Sequence, residues 1–274
     1  MSAPNPSLQQ QVEAVLARVP QVDWGVCIRY DGADVVSWHA DRVLPSASMG
    51  KVLLLIAAAH LLATGEREAD EPLVLHDEDR VADSGLWQYL PERTLTWQAA
   101  CVLVGAVSDN CAANALLREI GLPQVQQVSA DLGLPLTVMT DRLRDVRIAD
   151  DPAAPSVARA QDLAVLLERL GDAGPDWPEG ALVRSWLALN TDLSMVASGW
   201  ALDPLAHAAL AGGWLINKTG TDIRVRADAG ALASGAQRWA YAVLAHGESA
   251  DADALVVRAM RDIGVLIASR APLT

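Results

Sequence analysis

The chain has 274 residues and a formal net charge of −13 at pH 7, with a sequence pI of about 4.7. An acidic surface repels phosphate backbones and anionic lipid headgroups, so neither nucleic acids nor membrane surfaces are expected partners. Hydrophobic residues make up 51% of the chain and the mean hydropathy is +0.19. This composition supplies enough apolar material for a folded core and excludes a disordered chain.

The N-terminal stretch MSAPNPSLQQQVEAVLARVP has neither the basic region nor the apolar run of a signal peptide. The longest apolar run, 52–59, is too short to cross a bilayer. The sequence therefore predicts a cytoplasmic protein, or a secreted one if a leader has been removed. Cys27, Cys101 and Cys111 are expected to be reduced core thiols. Because the sequence contains no CxxC pair or Cys/His cluster, it predicts no metal and no cofactor.

Hydrophobic periodicity predicts strands at both ends of the chain and helices between them. A helix over 7–19 is followed by two strands, VDWGVCIRY and DVVSWHA, which the turn DGAD joins into a hairpin. The middle of the chain is predicted to be mostly helical, over 48–63, 94–107, 110–119, 123–132, 159–170 and 180–190. The last part is predicted as three strands and a closing amphipathic helix, namely GGWLINKTG, RVRADAGALAS, QRWAYAVLAHG and 250–268.

This order predicts an α+β fold in which one antiparallel sheet is built from both termini and covered by the terminal helices. The sheet lobe is expected over 1–40 and 214–274, and an inserted all-α lobe over 41–213. A cleft between two such lobes is a natural place for a catalytic site. The protein is expected to be a monomer.

Lys51 and Lys218 are the only lysines among the 21 lysine and arginine residues. A preference for arginine explains why lysine is scarce, but it does not explain why these two positions remain lysine. Lysine, unlike arginine, can lose its proton when it is buried, so both are candidates for proton chemistry or for a compact ammonium. Lys51 also lies in the first turn of an apolar helix, where a cation opposes the helix dipole.

Three short motifs occur in the order SMGK (48–51), SDN (108–110) and KTG (218–220). Ser48 is placed at a helix N-terminus, where a backbone N–H and the positive end of the dipole suit a developing oxyanion. Lys51 follows at i+3 on the same face, within reach of the Ser48 hydroxyl. A neutral Lys51 amine would serve as the general base that activates this serine.

Ser108 and Asn110 flank Asp109 in a turn between two helices, so both side chains can face the cleft, whereas Asp109 is expected to cap the next helix. Lys218 and Gly220 lie two residues apart on a strand and therefore share a face. The Lys218 ammonium would attract a substrate carboxylate and hold the Ser108 hydroxyl. Gly220 has no side chain to obstruct a substrate laid along the strand edge.

Neighbouring residues on this strand are candidates for binding the substrate. Thr219 is expected to hydrogen-bond the substrate carboxylate, and the backbone N–H of Thr221 to be the second oxyanion donor. Arg224 or Arg226 is a candidate for a second carboxylate anchor, although a solvated charge on the strand is an equal alternative for each.

The three motifs in this order resemble those of the class A β-lactamases and penicillin-binding proteins, the class A branch most closely. The run DNCAANALL resembles the helix that follows the SDN turn of that family, and the strand–helix–strand layout is similar nearly end to end. The resemblance implies a serine hydrolase that acts through a covalent acyl-enzyme on Ser48. It also implies that Ser108 passes a proton to the leaving nitrogen and that Asn110 binds the substrate amide. The substrate would be a small molecule: a β-lactam, or an ester or amide with a carboxylate.

One loop departs from the class A pattern. Class A enzymes carry a Glu that activates water for deacylation, in an Arg-Trp-Glu-Pro-type run, but the corresponding stretch MTDRLRDVRIADDPAAPS is shorter and has no Glu. The position of that Glu falls nearest Arg144. Arg142 and Asp151 resemble the usual ion pair of the loop, and Asp145 or Asp150 is a candidate replacement for the Glu.

Three functions therefore stay open. The first is hydrolysis of the β-lactam ring. The second is an esterase, amidase or acyl-transfer enzyme of a biosynthetic pathway on the same scaffold. The third is a penicillin-binding or sensor protein that is acylated without efficient turnover because the deacylation Glu is absent. Trp87 is considered as a wall of the cleft near Ser108, but core packing is the favoured interpretation of this tryptophan.

Overall fold

The structure, a computed structural model, describes residues 6–207, 210 and 213–273. The strands, in chain order, are β1 (Val22–Tyr30), β2 (Ala33–Trp38), β3 (Val43–Pro45), β4 (Pro72–Val74), β5 (Thr94–Thr96), β6 (Val138–Met139), β7 (Ser156–Arg159), β8 (Gly213–Asp222), β9 (Val225–Ser234) and β10 (Gln237–Gly247). The α-helices are α1 (Leu8–Leu16), α2 (Gly50–Thr64), α3 (Trp97–Val107), α4 (Asn110–Ile120), α5 (Leu122–Asp131), α6 (Ala160–Gly171), α7 (Pro178–Leu187) and α8 (Asp253–Ala268).

The main sheet joins the two ends of the chain, and the predicted α+β fold is confirmed. Its strands are antiparallel in the order β2-β1-β10-β9-β8, with Val22 of β1 opposite Gly247 of β10 and Lys218 of β8 opposite Ala229 of β9. The N-terminal hairpin thus pairs with the C-terminal strands, as the sequence predicts. Gly212, the first residue of the predicted strand GGWLINKTG, lies outside the described residues.

Alternating side chains on the sheet serve two separate cores, because successive residues of a strand point to opposite faces. Along β10, Ala242 and Leu244 join the core shared with the helical part of the molecule. Tyr241 and Val243 face the other way and pack with α1 and α8. A strand buried on both faces explains why QRWAYAVLAHG is apolar almost throughout.

The sequence predicts that the inserted part of the chain is all-α. The structure shows that it is mainly helical but also contains strands. Among the described residues it also contains the short strands β3 to β7, which form a three-stranded and a two-stranded sheet. The predicted helix 94–107 begins only at Trp97, since Thr94–Thr96 pair with Pro72–Val74 and the Thr96 hydroxyl caps α3 by accepting from Ala99 N at 3.1 Å. Such short pairings lack the length that makes a period of two recognisable in a sequence.

One segment of the predicted helical lobe packs on the outer side of the sheet instead. Residues Val196–Trp200 form a 3₁₀ turn whose side chains belong to the core of α1 and α8. The boundaries of the two lobes at 40/41 and 213/214 stay a prediction.

Helix α2 forms the centre of the helical part. Together with the 3₁₀ turn Ala47–Met49 before it, it makes an 18-residue segment that is long and apolar enough to cross a membrane by length and composition alone, which corrects the expectation drawn from the shorter run 52–59. However, 67% of this segment is buried inside the fold, which is the environment of the core helix of a globular domain. The N-terminus of this helix meets the edge strand β8, and the candidate site lies at that meeting point.

Candidate active site

Ser48 lies in the 3₁₀ turn Ala47–Met49, directly before α2. Ala47 has a left-handed φ of +49°, a conformation that costs energy for a non-glycine residue and that clusters at functional sites. Buried hydroxyls hold the turn in this shape. Ser156 on β7 donates its hydroxyl to the Ala47 carbonyl at 2.6 Å, and its Oγ lies 2.8 Å from the Oγ of Ser46. The turn presents the partly exposed Ser48 at the start of the helix.

Strand β8 runs against this turn, and Gly220 makes the close approach possible. A Cβ added at Gly220 would lie 2.4 Å from the carbonyl oxygen of Ser46 and 3.1 Å from the backbone nitrogen of Ser48. Any side chain at this position would therefore collide with the turn that carries Ser48. The next residue, Thr221, lines the adjoining cavity. The backbone N–H groups of Ser48 and Thr221 are thus carried by two segments in close contact.

Lys51 is buried, with an exposed fraction of 1%, and its ammonium nitrogen reaches the SDN turn. The Nζ atom lies 2.6 Å from the carbonyl oxygen of Ser108, 3.1 Å from Ser108 Oγ and 2.7 Å from Asn110 Oδ1. No hydrogen bond joins Lys51 to Ser48 in the described part of the chain, although the two residues are one helical turn apart.

Lys218 approaches the same hydroxyl from the strand. Its Nζ donates to Ser108 Oγ at 2.9 Å and to the carbonyl oxygen of Thr219 at 2.7 Å. The Ser108 hydroxyl therefore bridges the two lysines of the chain. Ser108 itself has a left-handed φ of +54° at the end of α3, so the backbone is again in an uncommon conformation at a candidate site residue.

The two lysines differ in how firmly they hold a proton. Burial lowers the pKa of Lys51 well below its ordinary value of 10.5, and the neighbouring Lys218 ammonium lowers it further. Burial also lowers the pKa of Lys218, to about 8, but the carboxylates of Asp192 and Asp228 oppose this effect. Lys51 is therefore the lysine that loses its proton more readily.

The SDN turn is fixed by its central residue. Asp109 is buried and caps α4 by accepting from Ala112 N at 2.9 Å, as predicted. Its other oxygen accepts from the backbone nitrogens of Leu86 at 2.6 Å and Trp87 at 2.8 Å. The Asn110 side chain donates to the carbonyl oxygen of Ala82 at 3.0 Å, which orients its oxygen towards Lys51.

A cavity of about 380 Å³ opens beside these residues. Of the predicted site residues, Ser48, Ser108, Asn110, Thr219 and Thr221 line it. Lys51 and Lys218 lie beneath the floor and reach it through Ser108, and Gly220 is buried against the Ser48 turn. The structure thus brings these eight predicted site residues together, and their roles in chemistry stay predictions.

Asp192 is a cavity residue that the sequence analysis missed. The Thr219 hydroxyl, which was expected to be free for a substrate carboxylate, donates to Asp192 Oδ2 at 2.7 Å. The only sequence signal is the run NTD at 190–192, which is too short to identify a site.

A buried polar network supports this corner of the site. Asn217, next to Lys218, donates to the carbonyl oxygen of Asp192 and to Asp228 Oδ1, both at 3.2 Å. Asn190 donates to Asn217 Oδ1 at 2.7 Å, and the Tyr241 hydroxyl donates to Asp228 Oδ1 at 3.2 Å. Burial raises the pKa of Asp228 to about 7. The network therefore anchors β8 and the Asn190–Asp192 turn to each other.

The ion pairs of the loop that lacks the Glu differ from the predicted ones. Arg142 donates to the carbonyl oxygen of Glu78 at 2.9 Å, so the predicted pair of Arg142 and Asp151 is wrong. Arg144 is the partner of Asp151 instead, at 3.4 Å, and it is held nearby by its ion pair with Asp141 at 2.7 Å. Arg144 also lines the cavity.

The two candidate replacements for the Glu are placed differently. Asp145 lines the cavity and accepts from the backbone nitrogen of Ala82 at 2.8 Å. Asp150 is exposed in a turn of the loop and is not part of the cavity lining. Of the two, Asp145 alone lines the cavity.

Arg224 and Arg226, the two candidates for a second carboxylate anchor, do not line the cavity. Arg224 lies in the turn before β9 and Arg226 lies on β9. Arg224 donates to the carbonyl oxygen of Glu248 at 3.2 Å, and Arg226 pairs with Asp253 at 2.8 Å. Both side chains therefore turn towards the C-terminal helix, and the prediction of a second anchor at either residue is wrong.

Two further expectations concern the core. Trp87 is fully buried and donates through Nε1 to the carbonyl oxygen of Glu92 at 2.8 Å, so it is a core residue and not a wall of the cleft. The three cysteines are free and buried, as predicted.

Comparison with solved structures supports the fold. A beta-lactamase from Sphaerobacter thermophilus is 22% identical, with a TM-score of 0.82, over 96% of this chain and 97% of that chain. A mutant of PBP-A, solved as an acyl-enzyme complex with penicillin G, is 20% identical, with a TM-score of 0.78, over 96% of this chain and 95% of that chain. The fold is therefore the one shared by these beta-lactamase and PBP-A structures.

Sequence comparison shows the family. The model of the beta-lactamase enzyme family matches residues 7–270, and the chain belongs to this family. A beta-lactamase from Streptomyces albus G is 29% identical over 169 residues, which are 57% of this chain and 52% of that protein. The match thus spans about half the length of this curated relative. The resemblance stated from the three motifs is confirmed at the level of the family.

Proposed function

We propose that the protein is a serine hydrolase that forms a covalent acyl-enzyme on Ser48, and that opening of a β-lactam ring is the first reaction to test. The observation that carries this proposal is the Ser108 hydroxyl, which lies 3.1 Å from the Nζ of Lys51 and 2.9 Å from the Nζ of Lys218. Two buried amines that share one hydroxyl, beside a serine at a helix start, form a path along which a proton can move.

The protonation states follow from the contacts. A neutral Lys51 amine has two N–H bonds, and its two shortest contacts are with the Ser108 carbonyl oxygen and Asn110 Oδ1. Its lone pair is then available to accept a proton. Lys218, with its pKa of about 8, stays mostly charged at neutral pH and donates to Ser108 Oγ.

Acylation follows in two proton transfers. The Ser48 hydroxyl gives its proton to Lys51 Nζ while Ser48 Oγ forms a bond with the substrate carbonyl carbon. The backbone N–H groups of Ser48 and Thr221 stabilise the resulting oxyanion. The bond from that carbon to the leaving nitrogen or oxygen then breaks, and the leaving atom takes the proton of Ser108 Oγ. Lys51 returns its extra proton to Ser108, so the protons balance.

Deacylation is the weaker half of the proposed cycle. It needs a base that removes a proton from water, and the loop offers Arg144 where the class A pattern has a Glu. An arginine stays protonated in proteins and cannot act as this base. Asp145 is the carboxylate of the loop that lines the cavity, and we expect it to activate water inefficiently because its Oδ1 already accepts a backbone N–H.

A second candidate function is favoured by this loop: a protein that hydrolyses esters or amides, or that is acylated by β-lactams with slow turnover. A β-lactam keeps its leaving group attached and in the site, whereas a simple ester releases it and lets water enter. A PBP-A mutant that shares this fold has been solved as an acyl-enzyme complex with penicillin G.

Intact mass spectrometry after mixing with a chromogenic cephalosporin, read together with absorbance, separates these functions. Turnover without a lasting adduct supports β-lactam hydrolysis, and a stable stoichiometric adduct on Ser48 supports slow deacylation. Cleavage of a p-nitrophenyl ester with no cephalosporin reaction supports the esterase. A Ser48→Ala variant is the matched control, and equal activity of this variant and the wild type in all assays refutes the proposal.

A further inference from the structure

The subsite beside Thr219 already contains a carboxylate. Thr219 donates its hydroxyl to Asp192 Oδ2 at 2.7 Å, and Asp192 lines the cavity. A substrate carboxylate placed at Thr219 would lose the hydroxyl donor to Asp192 and would also meet a like charge at close range. This arrangement is the opposite of the anion subsite that the KTG motif predicts.

Asp192 is held firmly in this position. Its Oδ1 accepts from the backbone nitrogen of Ser194 at 3.1 Å, while its carbonyl oxygen accepts from Asn217 and Asn190, both at 3.2 Å. The neighbouring Thr191 donates its backbone N–H to the carbonyl oxygen of Ala106 at 2.8 Å. The backbone of Asp192 is therefore fixed, and swinging its carboxylate away from Thr219 breaks the hydrogen bonds to the Thr219 hydroxyl and to Ser194 N.

The other charged side chains of the cavity do not offset the negative charge of Asp192. Its two arginines, Arg144 and Arg147, both pair with Asp141, at 2.7 and 2.8 Å. The remaining charged groups in the described lining are carboxylates, those of Asp83, Asp145 and Asp222.

The ammonium of Lys218 lies next to Thr219, but the negative charge of Asp192 offsets its positive charge. Lys218 Nζ is buried and directs hydrogen bonds to Ser108 Oγ and the carbonyl oxygen of Thr219. The Asp192 carboxylate stabilises this ammonium electrostatically. The positive charge that would attract an anionic substrate is therefore already matched by a carboxylate of the protein.

We propose that Asp192 is a specificity-determining residue that makes this subsite select a cationic leaving group over one that carries a carboxylate. The inference rests on the proposed acyl-enzyme on Ser48, and of its two candidate functions it favours the ester or amide over a β-lactam whose leaving portion carries a carboxylate. In that function Ser108 gives a proton to the leaving atom, and Thr219 directly follows Lys218, the partner of Ser108. The leaving group therefore lies beside Thr219 and Asp192. The substrate class is an ester or amide whose leaving portion bears an ammonium.

A matched series of butyryl thioesters tests this proposal, since only the charge of the released thiol changes. The thiols are thiocholine, 2-mercaptoethanol and 3-mercaptopropionate, which are cationic, neutral and anionic, and a thiol reagent detects each of them. We expect kcat/KM of the wild type to be at least about 10-fold higher for the cationic ester than for the anionic ester. In Asp192→Asn this preference should fall by about 10-fold or more.

The ratio of two substrates within one variant separates specificity from other effects. If Asp192 served only to keep the turn folded, its replacement would change all three esters equally and leave the ratio intact, and that result overturns the proposal. Asp192→Ser is a second variant without the charge. Asp222→Asn is the control, because it removes a cavity carboxylate that accepts from Ile223 N instead of Thr219. We expect its ratio to stay within about 3-fold of the wild type.

The neutral ester distinguishes failure of this inference from failure of the proposed function. Hydrolysis of the neutral ester that is lost in Ser48→Ala supports the function whatever the charge preference. With that hydrolysis present, a wild type that prefers the anionic ester, or an Asp192→Asn variant with an unchanged ratio, overturns the inference alone. Hydrolysis of no ester, with no adduct on Ser48, overturns both.

Discussion

The contact between strand β8 and the Ser48 turn can be tested by giving Gly220 a side chain. A Cβ at this position would lie 2.4 Å from the carbonyl oxygen of Ser46 and 3.1 Å from the nitrogen of Ser48. Ordinary contacts between such atoms are near 3.5 Å, so the strand or the turn must move by about 1 Å in Gly220→Ala. Both atoms belong to the backbone, and no side chain can rotate away to relieve the contact.

Two effects of different size follow. Overpacking of this kind costs about 1–3 kcal/mol of the free energy of unfolding, which lowers Tm by several degrees. Separation of the turn from the strand would also disrupt the proposed oxyanion site, which pairs the backbone N–H groups of Ser48 and Thr221. Loss of one such donor lowers kcat by about 100-fold to 1,000-fold. Activity should therefore fall much more than stability does.

Gly174→Ala is the matched control. A Cβ at Gly174 meets no atom within 4 Å, and its φ is not in the left-handed region. We expect it to leave hydrolysis unchanged and to leave Tm unchanged or slightly raised, since alanine restricts the unfolded chain. The measurements are thermal unfolding by circular dichroism and Ser48-dependent hydrolysis of a p-nitrophenyl ester. A Gly220→Ala variant with wild-type kcat would refute the reasoning that this strand and the Ser48 turn form one oxyanion site.

Three further variants test the site and its support. Lys51→Arg should lower the rate of Ser48 acylation by at least about 100-fold, because a guanidinium cannot act as a base, and should leave the circular dichroism spectrum unchanged. Acylation at the wild-type rate would remove Lys51 from the mechanism. Asp109→Ala should lose about 3 kcal/mol in denaturant unfolding, because three backbone N–H groups lose their acceptor; a loss below about 1 kcal/mol would contradict this role. The pKa of Asp228 is raised from 3.8 to about 7 in the folded protein, so its protonation favours folding, and this stabilisation is present below pH 4 and lost as pH rises through 7. Relative to Asp228→Asn, the wild type should lose about 4 kcal/mol between pH 4 and pH 8, whereas a difference that does not vary with pH would contradict the assignment.

Local patterns determined much of the architecture and most of the candidate site. The terminal strands and helices follow from hydrophobic periods of two and 3.6, because each element must bury one face or both. The scarcity of lysine pointed to Lys51 and Lys218, and the structure places the nitrogens of both beside Ser108. Such signals are readable from the sequence because each depends on a residue type at a short spacing.

Only the tertiary structure decided which polar and charged side chains of distant segments contact each other at the site. Thr219 and Asp192 are 27 residues apart in the chain, and Arg144 takes the place of Arg142 as the partner of Asp151. The left-handed backbone of Ala47 and the Ser156 hydroxyl that supports it leave no local signature either. An interaction between distant residues depends on how loops close and helices pack, and many chain arrangements share the same local preferences. The three short motifs therefore identify the candidate site residues, whereas the charged groups that surround them are brought together only by the fold.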